Sequence, residues 1–199
     1  MGTTAASPKA NETLITYVTD MHALISHGLQ AIKKQANNLK DNKHQEAFRA
    51  VQEFQRTLES EQQLLADRVK MLGGKATGPL KDAMSALTGV TAGIINALRS
   101  EEASKSIRDD YTFLSLVAVS YLMLHTTSKG LGDLETAAIA ERGYRHMARL
   151  IMNIDRLLPK LVVEELRQDG LTVSDVSEDC RKLVKQAWEE QASGTGMAS

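Results

Sequence analysis

The sequence predicts an all-α fold: a four-helix bundle of two antiparallel hairpins joined by a long crossover that contains a short helix, plus one C-terminal helix. Three observations carry this. The chain is poor in aromatic residues (4%), has only three prolines in 199 residues, and is rich in Ala, Leu, Glu, Gln, Lys and Met, the side chains that lose least on entering a helix. Apolar residues recur every three or four positions through four long segments, as one buried helical stripe requires. The breaks between those segments come in the order short, long, short, and a short break makes its two helices antiparallel neighbours.

Residues 1–10 read as a flexible arm and residues 11–168 as the bundle, with Asn11 as the N-cap of the first helix. That helix is expected to reach about Leu39 and to bury Leu14, Val18, Met21, Ile25, Leu29 and Ile32. "KDNK" (40–43) is a short polar turn. The second helix, about 44–72, carries Phe48, Val51, Phe54, Leu58, Leu65, Val69 and Leu72 and stops at Gly73-Gly74, a strong C-terminal signal. The crossover holds "LKDAMSALTGVTAGIINAL" (80–98), a short helix loosened by Gly89 and Gly93. After the polar "RSEEASKS" (99–106), the third helix spans about 107–129.

"KGLGD" (129–133) is a tight break in which Asp133 caps the fourth helix, about 134–158. Pro159 is expected to bend or end that helix, because proline removes a backbone donor and crowds the preceding turn; "PKLVVEELRQ" then continues helically to the Asp169-Gly170 stop. Residues 169–199 hold a last helix, about 175–190, and a disordered tail, "ASGTGMAS". Ser174 is the expected cap of that helix, which carries Val176, Leu183, Val184 and Trp188. Two hairpins joined by one long crossover is the ferritin-like version of the four-helix bundle.

Composition excludes several functions. With 24 basic and 25 acidic residues, the formal net charge of −1 sets up no global field that recruits nucleic acid or an anionic membrane. A single cysteine, Cys180, allows neither an internal disulfide nor a multi-cysteine metal site. The N-terminus "MGTTAASPKANET" lacks an apolar signal core. The longest apolar run, "FLSLVAVSYLML" (113–124), is broken by two serines and a tyrosine and falls short of the ~20 residues that a membrane-spanning helix needs. "KMLGGKATGP" lacks the spacing of a phosphate-binding loop. A cytoplasmic protein that binds neither membrane nor nucleic acid is the expectation.

A ferritin-like bundle invites a test for metal ligands. Di-metal members supply a glutamate from each of two helices and a Glu-x-x-His from each of the other two, and no Glu-x-x-His occurs in this sequence. The nearest thing to one is "AERGYRHMARLI" (140–151). On a helical projection, Ala140, Tyr144, Met147, Ile151, Ile154 and Leu158 form the core stripe, flanked by Ile139, Gly143, Leu150 and Leu157, with Gly143 on the packing side allowing close helix approach and His146 at the edge. Glu141 lies roughly 140° away from His146, so the two cannot chelate one ion. Arg142, Arg145, Arg149 and Arg156 share the outer face, where pairing with Asp or Glu accounts for them better than a nucleic-acid surface does, given the absence of interleaved aromatics.

The inward polar residues are Glu61 and Gln62 on the second helix, Tyr121 and His125 on the third, and His22 at the margin of the first. One carboxylate does not hold two irons, so no metal site is expected. Glu61, Tyr121, His125, His146 and His22 are the candidate ligands if a reduced, mononuclear iron or manganese site exists. A hydrogen-bonded buried cluster is the preferred reading of these residues, because buried polar groups normally find partners. Leu116, Val119 and Met123 lie opposite Leu114, Val117 and Tyr121, so the third helix is apolar nearly all round and is expected to be buried on both sides. The crossover, the last helix or a second subunit are the elements available to cover it, and a homodimer is expected.

The segments "YVTDMHALISHGLQAIKKQ" (17–35), "LLADRVKMLGG" (64–74) and "LHTTSKGLGDLETAAIAERGYRHMARLIMNIDRLLPKLVVEEL" (124–166) resemble the YciF-like family of ferritin-like proteins, bacterial stress-associated proteins of unknown biochemical function. The resemblance spans roughly residues 12–168. It implies a ferritin-like bundle, often dimeric, with a di-metal centre in members that keep the ligands. This sequence departs at those ligands: Ile25 stands where metal-binding members have glutamate, His146-Met147 replaces a paired glutamate, and Tyr121 falls near another ligand position. Of the family's ligands, Glu61 or its neighbour Glu59 carries over. The function expected from all this is a non-enzymatic stress or structural protein acting by self-association or partner binding, with residues 171–199 as a possible recruiting element. The alternative is a residual metal-binding protein or oxidase.

Overall fold

The computed structural model describes residues 7–40, 43–75 and 102–192, which form five α-helices and no strand. They are α1 (Pro8–Leu39), α2 (Gln45–Met71), α3 (Ala103–Gly130), α4 (Leu134–Gln168) and α5 (Ser177–Ala192). α1 packs on α2 and α3 on α4; the two hairpins close with α1 against α3 and α2 against α4, while α5, among the described helices, lies on α4 alone. The short helix expected within 80–98 lies outside the described residues, as do residues 1–6 of the arm and 193–199 of the tail. Among the described residues, no helix is long and apolar enough to cross a membrane.

Cross-helix bonds give the direction of each neighbour. Asn11 reaches Leu72 and Gln62 reaches Ser26, so α1 and α2 are antiparallel. Lys160 pairs with Glu46 and Arg68 with Thr136, so α2 and α4 are antiparallel as well. His125 meets Ala137 at one end of the second hairpin and Ser104 meets Glu165 at the other. The diagonal helices α2 and α3 therefore run parallel. The end of α2 and the start of α3 consequently lie at opposite ends of the bundle.

Several helix boundaries differ from expectation, each for a local reason. α1 starts at Pro8, a residue whose fixed φ suits a first helical position, with the Ser7 hydroxyl accepting from Ala10 N at 3.2 Å. Asn11 is thus inside the helix, where its amide donates to Leu72 O at 3.2 Å and ties α1 to the end of α2. α2 stops as expected: Gly73 adopts φ +83° and Gly74 N closes on Val69 O at 2.9 Å. α3 begins four residues early, at Ala103. Asp133 caps α4 as expected, accepting from Thr136 N at 3.1 Å.

α4 then runs through Pro159 without a break. One missing hydrogen bond is outweighed there, because Leu161 and Val163 beyond the proline are buried and hold the helix in place. α5 starts at Ser177, and the carboxyl of Asp175, not the expected Ser174, accepts from Ser177 N at 3.0 Å.

The expected stripes of α1 and α2 are the observed core: Val18, Ile25, Val51, Phe54, Leu58, Leu65 and Val69 are all fully buried. α4 is rotated. Ala140, Gly143, Met147, Leu150 and Ile154 are buried, while Tyr144 is 41% exposed and Ile151 and Leu158 only partly covered. The core-facing direction therefore turns by roughly 40° from the one expected.

Candidate functional site

The rotation of α4 has a visible cause. A Cβ on Gly143 would lie 2.3 Å from Cζ of Tyr121, so the ring of Tyr121 rests on the bare backbone of α4. No other residue at position 143 leaves that space. Turning Gly143 inward also carries His146, three residues on, from the margin of the face towards the interior.

The acceptor for both side chains is Glu61. It stands in line with Phe54, Leu58 and Leu65 on α2, so burying that stripe buries a carboxyl group completely. A buried carboxyl needs partners in place of water. Tyr121 Oη donates to Oε2 at 2.7 Å, and His146 Nδ1–H donates to Oε1 at 2.7 Å. Burial, followed by the adjacent Glu61, raises the Tyr121 phenol far above its ordinary range, so it stays protonated and serves as a donor. The His146 side chain keeps 35% of its surface open and so connects this interior cluster to solvent.

Of the five candidate ligands, the structure brings together Glu61, Tyr121 and His146. His125 is committed elsewhere, with Nδ1 at 2.9 Å from Ala137 O. His22 is half-buried on α1, its pKa lowered by burial, and its carbonyl accepts from Ser26. Gln62 donates to the Ser26 hydroxyl at 2.7 Å rather than joining Glu61. A two-metal bundle centre draws on carboxylates from all four helices; this cluster has one, and each of its oxygens already accepts a hydrogen bond. The residues present do not fit such a centre. Among the described residues, no group of three or more His, Cys, Asp or Glu side chains is placed to hold a metal ion.

Two further polar clusters were not anticipated. Arg68 is buried at the end of α2: Nε donates to Thr136 Oγ1 at 2.7 Å, Nη2 to both Asp133 oxygens at 2.8 Å, and Nη1 to Glu135. Burial opposes ionisation of Asp133, but the Arg68 and Thr136 bonds prevail and hold its carboxyl below the usual range. Gln35 on α1 donates to Ser106 Oγ and Asp110 Oδ2 on α3, both at 2.7 Å. Asp110 is fully buried with Oδ1 unpartnered, and burial drives its pKa well above the carboxyl norm, with Asp109 adding to the rise. Both clusters leave a trace in the sequence. Arg68 follows Glu61 by seven residues on one stripe, and Asp110 precedes Leu114, Val117 and Tyr121 at helical spacing.

The surface grooves lie elsewhere. One of about 550 Å³ sits by His44, Ser104 and Glu165, and one of about 380 Å³ by Arg68, Glu135 and Arg142; neither is lined by Glu61, Tyr121 or His146. The outer arginines are exposed, with Arg145 paired to Glu141 at 2.7 Å and Arg149 to Glu53 at 3.7 Å. Cys180 is a free thiol on α5. The chain matches no protein-family profile, no curated protein and no solved structure.

Proposed function

We propose that this chain is a non-enzymatic, ferritin-like stress or structural protein that acts by association, with a hydrogen-bonded lock where a metal-binding bundle would hold its ions. One observation carries the reading: the fully buried carboxyl of Glu61 has both oxygens taken by side chains from two other helices, Tyr121 and His146. Such a cluster joins α2, α3 and α4 without any ion. The parallel diagonal of α2 and α3 supports the ferritin-like topology, because it requires one connection as long as the bundle.

Metal analysis of protein purified without a chelating tag tests this. Sub-stoichiometric iron and manganese, unchanged by Glu61→Ala, is the expected result. Stoichiometric metal that is lost in Glu61→Ala overturns the reading. It would establish instead a mononuclear site on Glu61 and His146, whose imidazole keeps an open edge. Recruitment of a partner protein through residues 171–199 belongs to the same proposal, since α5 leaves Leu183 and Trp188 66% and 62% exposed. If deleting that segment left every co-purifying partner in place, this part would be dropped.

A further inference from the structure

The third helix was expected to be buried on both sides. Its outer side is open instead, with Val119, Leu122 and Met123 exposed, because α5 packs on α4 and not there. The side of α3 turned towards α1 is closed. A Cβ on Gly28 would lie 1.9 Å from Cζ of Phe113, so the Phe113 ring rests on the bare backbone of α1. Three residues before Phe113 stands Asp110, which has no exposed surface.

Among the described residues, Glu61 and Asp110 are the fully buried carboxyl groups, and they differ in what surrounds them. Glu61 receives a donor at each oxygen. Asp110 receives one, from Gln35 Nε2 to Oδ2 at 2.7 Å, and its Oδ1 has no partner. Gln35 Nε2 also donates to Ser106 Oγ at 2.7 Å, while Oε1 of the same amide is buried and unpartnered. One short bond is thus accompanied by two bare oxygens, one on each partner. Buried oxygens without partners are costly.

No cation answers this carboxyl. Among the described residues Asp110 forms no ion pair, and the side chains that act on it are Gln35 from α1 and Asp109 from its own helix, the second a like charge. The neighbouring Arg108 is taken by Asp109 at 2.7 Å. Among the described residues, α2 and α4 bring no charged group into bonding distance of Asp110. Nor does it belong to a group of three or more His, Cys, Asp or Glu placed to hold a metal ion. Neither surface groove is lined by Asp110 or Gln35.

A carboxylic acid and a primary amide have a second way to meet. The amide N–H donates to the acid's carbonyl oxygen while the acid O–H donates to the amide oxygen. Half of that arrangement is present here, and one proton on Oδ1 supplies the other half. We propose that Asp110 keeps its proton at neutral pH and donates it to Gln35 Oε1, and that this acid–amide pair is a proton-dependent clasp between the two hairpins. Burial, opposed by the Gln35 bond and reinforced by Asp109, favours the neutral acid. The clasp is whole while Asp110 is protonated and fails as pH rises through its titration, because two acceptors then face each other with no proton between them. Among the described residues, Gln35 supplies the hydrogen bonds between α1 and α3, so the clasp is the polar joint of that seam. It stands independently of the association reading.

Infrared difference spectra of the full chain test it. At pH 7 the parent is expected to show the carbonyl stretch of a protonated carboxylic acid that Asp110→Asn lacks. The amide in Asp110→Asn forms the same face-to-face pair with Gln35, so its urea midpoint at pH 7 is expected to match or exceed the parent's. Gln35→Met removes both partners; the acid band is expected to move to higher frequency and the midpoint to fall.

A parent without the band at pH 7 overturns the proposal. So does a urea midpoint that differs between sodium and potassium salts in the parent but not in Asp110→Asn, which would put a cation at Oδ1. A band that Gln35→Met leaves in place overturns the clasp, because the proton then has another acceptor. If Gln35→Met does not fold, nuclear magnetic resonance of the parent decides. A slowly exchanging acid proton with cross-relaxation to the Gln35 side-chain amide is expected, and its absence overturns the pair.

Discussion

Glu61 accepts one hydrogen bond at each carboxyl oxygen, so removing either donor leaves a buried acceptor bare. Tyr121→Phe keeps the ring over Gly143 and deletes only the donor to Oε2. It is expected to cost about 1–3 kcal/mol, the penalty for orphaning a buried polar group, read as a lower urea midpoint at unchanged slope. An unshifted midpoint would mean that the cluster is not held by this bond. Asp110 behaves differently because its carboxyl is held above the ordinary range, chiefly by burial. Above pH ~3.9 the unfolded chain releases that proton while the folded chain keeps it. The stability tied to this proton is therefore complete below that pH and is lost as pH rises through the folded value. Asp110→Asn does not titrate, so its stability relative to the parent should improve with pH from about 4 upward, by at most ~1.4 kcal/mol per pH unit. Urea unfolding at pH 5 and pH 8 measures it, and a pH-independent difference would contradict the assignment.

At the scale of elements, one buried guanidinium organises a bundle corner. Arg68 binds Asp133, Glu135 and Thr136, joining the last turn of α2 to the cap and first turn of α4. Arg68→Ala strands the Asp133 carboxyl, 12% exposed, without its cation and is expected to cost about 3–5 kcal/mol, as breaking a buried pair does. Hydrogen exchange should quicken first in residues 131–140. A loss well under 1 kcal/mol would place this pair with ordinary surface ion pairs. The helices themselves were legible as periodicity, and so were their firmest punctuation marks, Gly73-Gly74, Asp133 and Gly170. Ser7 and Asp175 were not, because a capping bond depends on which way the incoming chain turns. Pro159 misled for a related reason: its local cost was legible, but the burial of Leu161 and Val163 that outweighs it was not.

At the scale of the whole molecule, the bundle and α5 are separable. α5 packs on α4 and on no other described helix, and most of its own residues face solvent. Deleting residues 171–199 is expected to leave a cooperatively folded bundle that is destabilised by about 2 kcal/mol, roughly the burial of one aliphatic side chain. Loss of cooperative unfolding would show instead that α5 belongs to the core.

By itself the sequence determined an all-helical chain, the four long helices with their neighbours, and the inward placement of Glu61 and Tyr121, because hydrophobic spacing and short turns are local properties written in consecutive residues. Only the tertiary structure decided who partners whom. Gly143 accepts the Tyr121 ring, that contact turns α4, and the turn brings His146 to Glu61 while sending Tyr144 outward. His125, which the helical projection placed equally well, spends its Nδ1 on the Ala137 carbonyl. These outcomes depend on rotations of a few tens of degrees between helices, set by side-chain volumes from different parts of the chain, and no single stripe of residues contains that information.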